Sequence, residues 1–117
     1  DWRGSVLNSH DDAFTRRILK AWETAMASPN LPPSLGRRLR EAGFVSRRVE
    51  AIPILNTSFS PGNFSYSMAK GFARYAARQG DITEAESSAW LADLEARESK
   101  DAYFFCVNRF LFTAVKG

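Results

Sequence analysis

Apolar residues in the last stretch of the chain, Tyr103 to Lys116, occupy both parities. Phe105, Val107, Leu111 and Val115 share one face of an extended segment, and Phe104, Cys106, Phe110 and Phe112 share the other. A strand with one wet face alternates apolar and polar residues. This one asks for cover on both faces, as an interior strand of a layered α/β sheet does. The second expected strand is Phe44 to Leu55, with Phe44, Val45, Val49, Ile52, Ile54 and Leu55 as its apolar members. Arg47, Arg48 and Glu50 in its first half place it near solvent, and Pro53, which has no N–H for a ladder, places it at an edge. An interior strand with one companion implies more sheet than these residues supply.

Helical spacing accounts for most of the rest. Phe14, Ile18, Trp22, Ala25 and Met26 predict an amphipathic helix over Asp12 to Met26, led by His10-Asp11-Asp12 and stopped by Ser28-Pro29-Asn30. A short helix carrying Leu35 and Leu39, capped by Ser34, ends at Gly43, a natural left-handed C-cap. Asn56 to Asn63 reads as a loop. Phe64, Met68, Phe72, Tyr75 and Ala76 predict a helix ended by Gly80. Thr83-Glu84-Ala85-Glu86 is a capping box, so a further helix starts there, with Trp90, Leu91 and Leu94 as its stripe and Glu95, Arg97, Glu98 and Lys100 as its solvated end. Asp1 to His10 is polar and irregular apart from Val6-Leu7.

A chain of 117 residues makes one domain or part of one, and 44% apolar residues fill a modest core. The net charge of +3 is too mild to call for a nucleic-acid partner. Arg37, Arg38, Arg40, Arg47 and Arg48 form the densest basic stretch, but Glu41 interrupts it, and a solvated helix face followed by an edge strand explains it. No apolar run approaches a membrane span. The one cysteine, Cys106, excludes an internal disulfide and fits a reducing, cytoplasmic setting.

Candidate chemistry is sparse. One His and one Cys make no metal site, because coordination needs ligands converging from several segments. The seven glycines are scattered, with no Gly-rich phosphate turn. His10 is a candidate general base by its ordinary pKa. Phe59, Phe64, Tyr66, Phe72 and Tyr75 gather around a loop and a helix, where they either line an apolar ligand pocket or form the core between helices.

The passage Leu35-Gly36-Arg37-Arg38-Leu39-Arg40-Glu41-Ala42-Gly43-Phe44, followed by a strand, resembles the helix-to-strand passage near the end of class I S-adenosylmethionine-dependent methyltransferases. The strand Phe104 to Lys116 is similar to that family's last antiparallel strand. Ile82 to Leu94, with Trp90-Leu91-Ala92-Asp93-Leu94, is similar to the substrate-side helical insertion of its ubiquinone/menaquinone-biosynthesis branch. Asp1-Trp2 resembles the end of the family's fifth strand, which often reads acid-aromatic-acid; Arg3 departs from that pattern.

The resemblance implies the C-terminal part of a Rossmann-like sheet: two antiparallel last strands and about four helices over 1–117, with 56–100 as the substrate-side insertion. In that family the last strand inserts antiparallel between the fifth and sixth strands. The Gly-rich loop and ribose-binding acid that hold the cofactor would lie upstream. The resemblance then implies S-adenosylmethionine as cofactor, a small-molecule methyl acceptor, and Asp1 and His10 as catalytic residues. Trp2, Phe59, Phe64, Tyr66 and Tyr75 would bind the substrate. The chain alone would be inactive, and would meet either an N-terminal cofactor-binding segment or a second copy through its last strand. The alternative is a small α+β module that binds a ligand or dimerises without catalysis.

Overall fold

A computed structural model describes residues 1–117, the side chain of Ser46 apart. It is an α/β arrangement of four helices and an open antiparallel sheet: β1 (Val6–Leu7), α1 (Asp12–Glu23), α2 (Pro32–Glu41), β2 (Phe44–Asn56), α3 (Phe64–Arg78), α4 (Glu84–Glu98) and β3 (Phe105–Lys116). The sheet order is β1-β3-β2, so the last strand lies between the other two and runs antiparallel to both.

Local chemistry sets the element ends. Asp11 Oδ1 accepts the Phe14 N–H and starts α1. Thr83 and Glu86 form the expected reciprocal capping box of α4. α2 begins at Pro32 rather than behind a Ser34 cap, because proline's fixed φ and missing N–H suit the first helical position. The Ser65 N–H of α3 is taken by Asn56 Oδ1 from the end of β2, which ties the helix start to the sheet. Gly43 adopts φ +89° beyond the α2 C-cap, as expected there.

α3 is the hub of the core. Phe72, Ala73 and Ala76 are buried on it and belong to one buried cluster with Ile18 of α1, Trp90 and Leu94 of α4, Leu7 of β1, and Phe105 and Val107 of β3. The expected helix to Met26 stops at Glu23, where Thr24, Ala25 and Met26 turn back on carbonyls three residues earlier. The end of α4 is less solvated than expected, since Glu98 accepts the Phe59 N–H at 2.7 Å and holds the loop after β2.

Two expectations about the sheet are corrected. β3 is fully buried only near its start: Phe105 and Val107 are buried, as is Tyr103 just before it, whereas Phe110, Leu111 and Val115 are exposed, and on β2 Val45, Val49, Ile52 and Leu55, which pair with Val115, Phe112, Arg109 and Cys106, are exposed too. The far end of the β2–β3 ribbon meets only the short helix α2, through Arg47 to the Gly36 carbonyl and Lys116 to the Ala42 carbonyl, and the molecule measures 53 × 31 × 23 Å. The edge of β3 away from β2 is not wholly bare either. Val6 and Leu7 pair with Cys106 and Phe105, although nothing in their local pattern signals a strand. β2 lies at an edge, as Pro53 indicated. One extra residue of β2 is accommodated as a bulge between Val45 and Arg48.

Candidate functional site

Asp1 to Asn8 lies along the start of β3 and beside α1. The Asp1 amino group donates to the Asn108 carbonyl at 2.9 Å, and Ser5 closes a turn on the Trp2 carbonyl. The Asp1 carboxylate accepts the Arg3 N–H at 3.3 Å. With its amide oriented by hydrogen bonding, Asn30 gives its nitrogen to Asp1 Oδ1 and its oxygen to the Arg3 guanidinium. Asp1 and Arg3 thus share one amide partner from the α1–α2 connection.

Trp2 turns inward. Its ring meets Phe72 edge-on at 5.2 Å and Trp22 at 6.3 Å. The remainder of its surface borders a half-open cavity of about 420 Å³ between the N-terminal segment and α1. Arg3, Asp12, Arg16, Lys20 and Glu23 ring that cavity, and Leu7 and Leu19 form its apolar wall. Asp12 is engaged by Arg16 at 2.8 Å, an exposed pair of little energetic weight. The Trp22 indole N–H, close by, is buried with no acceptor among the described residues.

His10 lies elsewhere. It borders a smaller cavity of about 210 Å³ with Asp11, Phe14, Glu86, Ala89, Trp90 and Asp93. Its backbone N–H is held by Asp93 Oδ2 at 2.9 Å. The two cavities share no lining residue. The structure therefore brings Trp2 and Arg3 to one site and His10 to another. Each carboxylate near His10 has a structural bond already: Asp11 caps α1, Glu86 belongs to the capping box, and Asp93 holds the His10 amide.

The aromatic set divides among packing partners. Phe59 stacks obliquely on Tyr66 at 4.8 Å and on Tyr103 at 5.3 Å. Phe64 leans on Phe105, and Tyr75 meets Trp22 edge-on with its hydroxyl 3.1 Å from Thr24 Oγ1. None of Phe59, Phe64, Tyr66 and Tyr75 borders either cavity. They serve the joints of α3 with the loop, with β3 and, through Tyr75, with α1. Lys70 lies over the Tyr66 ring at 4.2 Å and donates to its hydroxyl, which keeps that residue at the surface end of the set.

Among the described residues no cluster of His, Cys, Asp and Glu is placed to bind a metal, and no helix is long and apolar enough to cross a membrane. An anionic group would look for a free helix N-terminus. The starts of α1, α3 and α4 are occupied by Asp11, Asn56 and Thr83, and α2 opens on two prolines that have no N–H to offer.

The bare part of the sheet is the feature that sequence reasoning missed in detail. Its signal was present as the double-faced apolar pattern of β3; the extent of cover was not readable, because it depends on how far the helices reach. No protein-family model, curated protein or solved structure matches this chain.

Proposed function

We propose that this chain is the substrate-side C-terminal part of a class I S-adenosylmethionine-dependent methyltransferase acting on a small molecule, with a Rossmann-like sheet completed by a separate cofactor-binding half. The observation that carries the reading is the strand order: β3, last in the chain, lies between β1 and β2 and runs antiparallel to both. That is the arrangement the resemblance implies for fifth, seventh and sixth strands, with Asp1 to Leu7 standing where the fifth strand ends. The exposed apolar ribbon supports the same reading, since it presents surface that a larger sheet and its helices would cover.

The resemblance places the Gly-rich loop and the ribose-binding acid upstream of these residues, whose seven scattered glycines form no such loop. Cofactor binding belongs to the other half, and the isolated chain is inert. Within the proposal Asp1 and Trp2 stand at the acceptor side, next to the 420 Å³ cavity. His10, on its separate cavity, is kept as a candidate base only for the assembled enzyme.

Calorimetric titration of the 117-residue chain with S-adenosylmethionine and its demethylated product tests this. No heat is expected from the chain alone, and micromolar binding would overturn the division of labour. Joined at Asp1 to the cofactor-binding half of a small-molecule methyltransferase, the chain should yield a folded protein that binds the demethylated product. A folded but non-binding chimera counts against the reading. In an active chimera, unaltered turnover of Asp1→Ala or His10→Ala removes the corresponding role.

A further inference from the structure

The far end of the β2–β3 ribbon, with α2 against it, holds the chain's charge imbalance. Residues 32–50 and 111–117 contain six basic side chains and two acidic ones, and the remaining residues contain ten and eleven. Both acids at this end are engaged locally, Glu41 by Arg37 at 2.9 Å and Glu50 by Arg48. Arg47 and Lys116 donate to the Gly36 and Ala42 carbonyls, neutral acceptors that leave both charges uncompensated. Arg38 and Arg40 are exposed and form no ion pair among the described residues.

Beside these charges one face of the ribbon is aliphatic and bare. Cross-strand partners share a face, and so do alternate residues along a strand. The pairs Val45–Val115, Arg48–Thr113 and Glu50–Leu111 therefore stand together, on the face that Phe105 and Val107 bury nearer the start of β3. Val45, Leu111 and Val115 are each half or more exposed. From Arg109 to Val115 this face has no aromatic side chain on either strand.

That composition selects among anionic partners. Nucleic acid meets the charges but not the aliphatic side chains, since phosphates offer no apolar layer and unpaired bases stack on aromatic faces that are missing. An anionic bilayer meets both, with charged headgroups above hydrocarbon. Arginine and lysine stems lie along such an apolar boundary while their heads stay in water.

We infer that this end docks on the surface of an anionic lipid bilayer. Arg38, Arg40, Arg47 and Lys116 stand at headgroup level, and the Val45–Val115 pair enters the apolar boundary. The inference does not rest on the proposed function, whose residues Asp1 and Trp2 lie nearer the start of β3, and its test uses the 117-residue chain alone.

The test is co-sedimentation of the chain with vesicles of phosphatidylcholine alone and of phosphatidylcholine with phosphatidylserine. Binding should require phosphatidylserine and weaken as salt rises. Arg38→Gln combined with Arg40→Gln should weaken it about fivefold for each charge removed. Arg74→Gln combined with Arg78→Gln, the same loss of charge at exposed residues of α3, should leave it nearly unchanged. Val115→Ser should weaken binding at low and high salt alike, because apolar burial is not screened. Thermal melts accompany every variant, and a Val115→Ser chain that melts early is replaced by Val115→Thr, which keeps the side chain's shape. Equal binding to the two vesicles, or no binding, overturns the inference, as do equal losses from the two arginine pairs. Unchanged binding by the Val115 variant overturns entry of the valine pair. Tighter binding of a duplex oligonucleotide than of phosphatidylserine vesicles overturns the choice of partner.

Discussion

The Trp90 indole donates its N–H to Thr15 Oγ1 at 2.8 Å, and both residues are buried, at 4% and 1% exposure. This one bond joins α1 to α4 through the core. Ser9 Oγ lies 2.5 Å from the same hydroxyl, so Thr15 links helix, helix and N-terminal segment. Thr15→Val keeps the shape and orphans the indole, which costs about 1–3 kcal/mol. Thr15→Ser retains the acceptor and loses only a methyl group. Urea unfolding of the two variants should rank them in that order, and equal losses would show that the hydroxyl does not matter.

Tyr103 gives its hydroxyl hydrogen to Ser65 Oγ at 2.7 Å in another buried contact. Burial raises the tyrosine pKa above its usual 10.0; the Ser65 bond opposes that shift and the Glu98 charge adds to it. The unfolded chain therefore loses this proton at lower pH than the folded one. Stability from Tyr103 is complete below about pH 10 and is lost as pH rises through the folded value. Tyr103→Phe should flatten the alkaline limb of a stability–pH profile above pH 10, while leaving its neutral region lowered by about 1 kcal/mol. An unchanged alkaline limb would show that Tyr103 does not set it.

The loop after β2 depends on Glu98. Its carboxylate accepts the Phe59 N–H at 2.7 Å, and Phe59 itself is buried between Tyr66 and Tyr103. Hydrogen bonds to a charged group contribute about 1.5–3 kcal/mol. Glu98→Ala is expected to cost that much and to speed amide exchange at Phe59 before the rest of the chain. Glu98→Gln, which retains an acceptor oxygen, should recover part of the loss.

The capping box of α4 and the turn at Gly43 were legible in the sequence because each depends on a few adjacent residues. The antiparallel β2–β3 pair was legible because both segments carry strand patterns of similar length. β1 was not, since Val6-Leu7 gains its identity only from Phe105 and Cys106, which lie far along the chain. The separation of His10 from Trp2 was equally hidden. The Asp11 cap of α1 had a local signature, but Asp93 of α4, which holds the His10 amide and turns that corner toward α4, had none. The aromatic set illustrates a different limit: spacing placed Phe64 and Phe72 on one helix face, but only packing shows that Phe64 leans on β3 while Phe72 sits among Trp2 and Trp22.

Phe105 and Phe110 separate the two halves of β3. Phe105 is 1% exposed within the core, whereas Phe110 is 36% exposed on the ribbon. Truncating a fully buried phenylalanine removes its transfer free energy and leaves a cavity, so Phe105→Ala should cost about 3–5 kcal/mol. Phe110→Ala removes side-chain surface that is partly in water already, and should cost clearly less, about 1 kcal/mol or below. Urea unfolding of the 117-residue chain measures both. Equal costs would mean that Phe110 is covered in solution.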